Sequence, residues 1–208
     1  MGKKALSGRE NWQTESGPGG LAGTAERNLY VAFKKAFEGT EYIISNHPTN
    51  FKHLYDNVVL DNETLAQIYN PDETTMLRSR KRGWGVLPDF SITNTKTGKI
   101  LFGEIKRQDG WIEGGKPSDG RGNVHERMCK LFTPGLLKAY RKVSKIDNPN
   151  VLPFWLVLQG DITRDPKRNR EIAFWFDSYD KNYFMWRPNM TEQDLIDHFN
   201  KYLKPYLE

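Results

Sequence analysis

Pro88-Asp89-Phe90-Ser91-Ile92-Thr93-Asn94, followed by Thr95-Lys96-Thr97-Gly98 and then by Lys99-Ile100-Leu101-Phe102-Gly103-Glu104-Ile105-Lys106-Arg107, is the stretch whose reading decides the fold. Its first part alternates polar and apolar side chains, the period of a half-buried strand. The four residues at 95–98 are turn chemistry, so the whole reads as a β-hairpin. A four-residue loop pairs Asn94 with Lys99, Ile92 with Leu101 and Phe90 with Gly103, which leaves Asp89 opposite Glu104. Opposed residues of an antiparallel pair share a face, with Cβ atoms roughly 4.5–5.5 Å apart. Lys106, two residues beyond Glu104, returns to that face. The prediction is two carboxylates and an ammonium group converging from two strands. A slip of one residue would scatter them.

Two carboxylates this close repel unless a cation lies between them, and hard oxygen ligands suit Mg²⁺. An adjacent lysine can hold or help deprotonate a metal-bound water, which fits metal-assisted attack on a phosphodiester. The plain alternative for the same residues is a surface salt bridge between Glu104 and Lys106, with Asp89 as a turn residue.

Working outward, Glu104 to Lys145 holds ten basic and five acidic residues, an excess equal to the +5 of the whole 208-residue chain. Two further basic clusters, at 78–82 and 164–170, sit in loop-like sequence, whereas Tyr55 to Glu73 has five acids and no Lys or Arg. Concentrated positive charge is the electrostatic footprint of a polyanion site. At 37% hydrophobic and 12% aromatic residues the chain is too apolar to be disordered. The single Cys129 excludes an internal disulfide framework and any cysteine-based zinc module. The longest apolar run, Val151 to Leu158, is far short of the ~20 residues that span a bilayer. The N-terminus has no apolar h-region, so nothing suggests secretion.

Residues 1–23 read as a flexible Gly- and Ser-rich arm, and 24–208 as a single domain. Helical spacing begins near Thr24, with Leu29, Phe33 and Phe37 on one face. A second helix is expected from Asp61 or Asn62 to Tyr69, and residues 74–85 as a loop. Gly-rich sequence from Gly110 to Gly122 leads into a helical region from Val124 that restarts near Pro134. Leu152–Leu158 and Ile172–Phe176 look like buried strands. The last helix starts at Thr191, where Thr-Glu-Gln-Asp resembles a capping box with Asp in the Glu place. The fold class is α/β, a central mixed β-sheet flanked by helices.

Pro88-Asp89 with Glu104-Ile105-Lys106 resembles the PD-(D/E)XK nuclease superfamily. Just downstream, Gly122-Asn123-Val124-His125-Glu126-Arg127 resembles the G-N-A-x-E-R motif of the EcoRI/MunI group of type II restriction endonucleases. Ile100 to Trp111, Cys129 to Tyr140, Gly160 to Arg168 and Tyr183 to Pro188 are similar to the MunI branch of that group. The likeness is weakest at residues 10–22, 40–80 and 142–150. It implies a restriction-endonuclease-like fold and a homodimeric, Mg²⁺-dependent enzyme of the bacterial cytoplasm that cuts palindromic double-stranded DNA. The implied site is CAATTG, cut after the first C to leave AATT 5′ overhangs, with a cognate DNA methyltransferase as functional partner in the host. Asp89, Glu104 and the Ile105 backbone carbonyl are then the implied metal ligands and Lys106 the catalytic lysine. Arg121, Gly122, Asn123, Val124 and Arg127 are the implied DNA-binding residues. The chemistry of Asn and Arg suits bidentate contacts to adenine and guanine. Val124 departs from the motif, which has Ala; recognition survives that change if the position contributes through its backbone.

Outside that resemblance, Glu126 and Arg127 also read as helix-surface charges, and His125 as a DNA-facing or solvated imidazole. Cys129 reads as a small buried residue, and Trp155, Trp175 and Trp186 as core or dimer interface. Glu26 reads either as support for a metal-bound water or as an acid favoured by a helix N-terminus. Arg164, Lys167 and Arg168 are candidate phosphate contacts. Two rivals stay open: a repair or recombination nuclease on the same fold, and a non-cleaving sequence-specific DNA-binding protein.

Overall fold

The computed structural model describes residues 18–55, 58–68, 86–109 and 124–208. The expected arm up to residue 17, the 74–85 loop and the Gly110–Gly122 stretch lie outside the described residues. The hairpin forms as its sequence dictates. Strands β2 (Phe90–Asn94) and β3 (Ile100–Arg107) pair antiparallel with Phe90 opposite Gly103 and Ile92 opposite Leu101. The turn closes where Gly98 N–H donates to Asn94 O (2.8 Å) at a glycine φ of +69°, which suits a residue without Cβ. The Phe90 ring lies flat against Gly103: a Cβ there would sit 2.0 Å from Phe90 Cζ. Only glycine lets the ring cross the neighbouring strand.

Around this hairpin the sheet is mixed, in the order β1-β2-β3-β4-β5. Strand β1 (Tyr42–Asn46) adds antiparallel to β2, while β4 (Phe154–Gln159) and β5 (Tyr183–Trp186) continue parallel from β3. Helix α1 (Pro18–Ala36) packs one face, where Leu29, Phe33, Phe90, Leu101, Trp155 and Phe199 share a core. On the other face Phe102, Leu156, Met128, Leu136 and Tyr140 join a second core under α3 (Val124–Leu131) and α4 (Pro134–Ser144). A short α2 (Asn62–Gln67) is capped by the Asp61 carboxylate, which accepts from Thr64 N–H at 2.7 Å; it ends two residues before Tyr69. Thr191 caps α6 (Glu192–His198), its N–H donating to Asp194 Oδ2 at 2.7 Å, the expected box with Asp in the Glu place. No helix among the described residues is long and apolar enough to cross a membrane.

Two readings are corrected. Helix α1 begins at Pro18 rather than near Thr24, because proline suits a first helical turn and the Leu29–Phe33 face anchors what Gly19 and Gly20 would leave loose. Ile172–Phe176 is not a strand but the end of α5 (Pro166–Phe176). Ile172 and Phe176, four apart, are buried while Phe174 between them is 81% exposed; a strand would put all three on one face. Asp165 caps the helix by accepting from Lys167 N–H at 2.9 Å, and Pro166 opens it.

Two outcomes test this architecture. Gly103→Ala should lower stability by about 1–3 kcal/mol, the usual cost of overpacking. An unchanged denaturation midpoint would mean the Phe90 ring does not rest on Gly103. His198 lies flat on Trp155 (5.8 Å between ring centres, 9° between planes), and its Nε2 meets Lys181 O at 2.8 Å. Burial holds its pKa below the ordinary histidine value, with the Lys181 charge adding and the Lys181 carbonyl opposing. The unfolded chain takes up that proton near pH 6.5 and the folded one resists, so stability should fall as pH drops through 6.5. Denaturation at pH 7.5 and 5.5 should show a smaller loss for His198→Gln than for the wild type.

Candidate functional site

Asp89 precedes β2 by one residue, and Glu104 and Lys106 alternate along β3 onto the face covered by α3 and α4. Lys106 Nζ lies 2.6 Å from Glu104 Oε1 and 3.1 Å from Asp89 Oδ2, so one ammonium bridges both carboxylates. Ile105 N–H also donates to Asp89 Oδ2, at 2.9 Å, extending the hairpin's pairing through a side chain where the ladder stops. The surface salt-bridge alternative fails on burial, since Glu104 is only 3% exposed. Burial pushes the Glu104 carboxyl above its ordinary range; Lys106 and then Arg127 oppose this, and Asp89 adds to it.

Arg127 is the second cation. Its Nε lies 2.7 Å from the same Glu104 Oε1. Helix α3 aims it there because Val124, Met128 and Leu131 form the buried stripe and Arg127 flanks it. Glu126, one residue earlier, points out and pairs with Lys130 at 2.5 Å. The reading of both as surface charges therefore holds for Glu126 and fails for Arg127. Val124 is 1% exposed, so its methyls in place of alanine's face the core. Arg121, Gly122 and Asn123 lie outside the described residues, as does the side chain of His125.

Sequence reasoning passed over two neighbours of this cluster, His47 and Tyr140, and offered two readings of a third, Glu26. Glu26 sits eight residues into α1, too far from the helix N-terminus for its dipole to matter. Its Oε1 lies 3.3 Å from His47 Nε2. Burial raises its pKa first and the Asp89 charge second, while His47 and Lys106 lower it. His47 follows β1 at a left-handed φ of 44°, and its N–H donates to Asp89 O at 2.9 Å. Tyr140 on α4 is buried, which pushes its phenol up, and the Glu104 charge adds to the rise. Finding His47 and its pairing with Glu26 required β1, a short edge strand in a segment that carries no motif.

The oxygen set suits a hard divalent cation. Glu104 Oε1 is fully buried, and two cations, Lys106 and Arg127, lie 2.6 and 2.7 Å from it. Among the described residues no cluster of three or more His, Cys, Asp or Glu side chains is placed to hold a metal. Asp89 and Glu104 would thus need a backbone carbonyl such as that of Ile105, plus waters, which is how Mg²⁺ is commonly held.

Elsewhere, Arg164 is paired with Asp161 and Arg168 with Glu171, so two of the three candidate phosphate contacts have acidic partners within their own segment. Cys129 is exposed, not buried, since it lies off the Val124–Met128 stripe. Trp155 and Trp186 are core.

The comparisons with known proteins agree with this geometry. The family model for the type II restriction enzyme MunI matches residues 1–208. A curated type II restriction enzyme MunI from a Mycoplasma species is 57% identical over 208 residues, covering all of both chains. The crystal structure of MunI restriction endonuclease in complex with cognate DNA superposes with a TM-score of 0.76 at 55% identity, covering 95% of this chain and 98% of that one. A mixed sheet with its carboxylates and lysine on one face, in a chain matched from end to end, has one reading: the chain belongs to the MunI family of type II restriction enzymes.

Proposed function

We propose that this type II restriction endonuclease cuts both strands of the palindrome CAATTG after the first C, using Asp89, Glu104 and the Ile105 carbonyl to hold Mg²⁺ and Lys106 as the catalytic lysine. The observation that carries the reading is the single Lys106 ammonium within 3.1 Å of both carboxylates on one face of the hairpin. Mg²⁺ held by these groups would polarise the phosphate and lower the pKa of a coordinated water. Lys106, whose ammonium lies against both carboxylates, would orient that water for in-line attack, the 3′ oxygen leaving to give 5′-phosphate and 3′-hydroxyl ends.

Arg121, Asn123 and Arg127 read bases, while Gly122 and Val124 contribute backbone at the entrance to α3. Arg127 meets Glu104 through Nε, which leaves the other guanidinium N–H groups to face DNA, so recognition and the carboxylate share one side chain. The protein acts as a homodimer, because a two-fold axis matches that of a palindrome. Each subunit cuts one strand. Of the arm expected over residues 1–23, residues 18–23 belong to helix α1. In the host the enzyme works in the bacterial cytoplasm beside a methyltransferase that protects the same site.

Plasmid incubated with the protein and Mg²⁺ should yield uniform AATT overhangs. Scattered ends would indicate a structure-selective nuclease, and intact plasmid with a footprint a binding protein. Asp89→Ala should abolish cleavage with the protein still folded; cleavage at the wild-type rate would overturn the metal-site assignment. Arg127→Ala should cost about 1–3 kcal/mol of discrimination between cognate and altered sites. If affinity instead weakened equally for all sequences with a shallower salt dependence, Arg127 would be a phosphate contact.

A further inference from the structure

The ladder between β1 and β2 ends at Asn46 opposite Phe90, and that between β2 and β3 ends at Phe90 opposite Gly103. Asp89 is therefore the first residue past the regular ladders. Three hydrogen bonds hold it there. The side chain is held by Ile105 N–H and Lys106 Nζ. The main chain is held by His47 N–H, which donates to Asp89 O at 2.9 Å.

His47 makes that bond from a left-handed backbone at φ 44°, a conformation that costs a non-glycine residue free energy and persists only where surroundings impose it. Its side chain has one contact that leads back to a helix. The His47 ring is held at 3.3 Å by Glu26, a residue of α1, which is itself locked to the sheet through Leu29 and Phe33. A fixed helix, a side-chain contact, a strained residue and one main-chain hydrogen bond thus lead to the aspartate.

We infer that Glu26 and His47 form a latch that positions Asp89 against Lys106, Glu26 gripping the imidazole and the His47 amide gripping the Asp89 carbonyl. Neither residue touches the scissile phosphate in this role; both act through Asp89. The inference rests on the proposed active site. Misplacement of a catalytic group by about 1 Å can cost on the order of 100-fold in rate without weakening substrate binding.

The test is single-turnover cleavage of an oligonucleotide duplex carrying the site, with Mg²⁺, for Glu26→Ala, Glu26→Gln, His47→Asn and the double variant Glu26→Ala/His47→Asn. Asparagine accepts the left-handed backbone while removing the ring. Glutamine keeps an oxygen that can accept from the imidazole while removing the charge. Glu26→Ala and His47→Asn should each slow the cleavage step by roughly 10- to 100-fold, with the DNA dissociation constant within about twofold of wild type. The double variant should be no slower than the worse single one, since a latch fails as a unit. Glu26→Gln should recover most of the rate. Wild-type rates in the single variants, or losses that multiply in the double one, would overturn the latch. Equal damage from Glu26→Gln and Glu26→Ala would also overturn it, because the carboxylate charge would then act directly. Asp89→Ala, run alongside, separates the two levels. If it cleaves, the active-site reading fails; if it is dead while the latch variants are normal, only the latch does.

Discussion

One ammonium group standing between two carboxylates governs the working end of this molecule. Asp89, Glu104 and Lys106 meet in a place where Glu104 is almost wholly removed from water. A buried carboxylate is tolerated only when paired, and stripping the partner from a buried ion pair typically costs about 3–5 kcal/mol. The surrounding structure reads as the set of constraints that keeps this arrangement intact. The hairpin register puts the three groups on one face. Gly103 lets the Phe90 ring cross the strand beside Asp89. The stripe of Val124, Met128 and Leu131 turns α3 so that Arg127 reaches the same oxygen as Lys106.

The two acids are supported unequally. Glu104 is flanked by cations from its own strand and from α3, on the face where the helices cover the sheet. Asp89 is held by hydrogen bonds from Ile105, Lys106 and, through its main chain, His47. Both share the Lys106 ammonium; Glu104 adds a second cation, and Asp89 adds two bonds from backbone N–H groups.

Most of this centre was legible in the sequence because strand period and turn length are local. Residues 89–106 contain their own register, so the convergence of Asp89, Glu104 and Lys106 followed from counting. The capping box at Thr191 and the restart at Pro134 were legible for the same reason. Ile172–Phe176 misled because a run of apolar residues carries no period of its own; Phe174 faces solvent, and only the cap at Asp165 marks a helix. The strands β1 and β5 are short. The pairing of Glu26 with His47 joins residues 21 apart through a strand with no turn signal on the page. Arg127 was recognised as important, but its grip on Glu104 depends on how α3 lies over the sheet, which no spacing within α3 reveals.

The division of labour along the chain has an evolutionary consequence. The groups assigned to cutting occupy fewer than twenty consecutive residues, from Asp89 to Lys106, in a unit that closes on itself. Those assigned to reading fall in the connection between β3 and β4, which also carries α3 and α4. That connection can lengthen, shorten or change its side chains while the hairpin keeps its register. New target sequences can therefore arise by remodelling one crossover. Among the described residues Arg127 joins the two regions at the carboxylate itself, through its contact with Glu104, and drift in the crossover is restrained at that position.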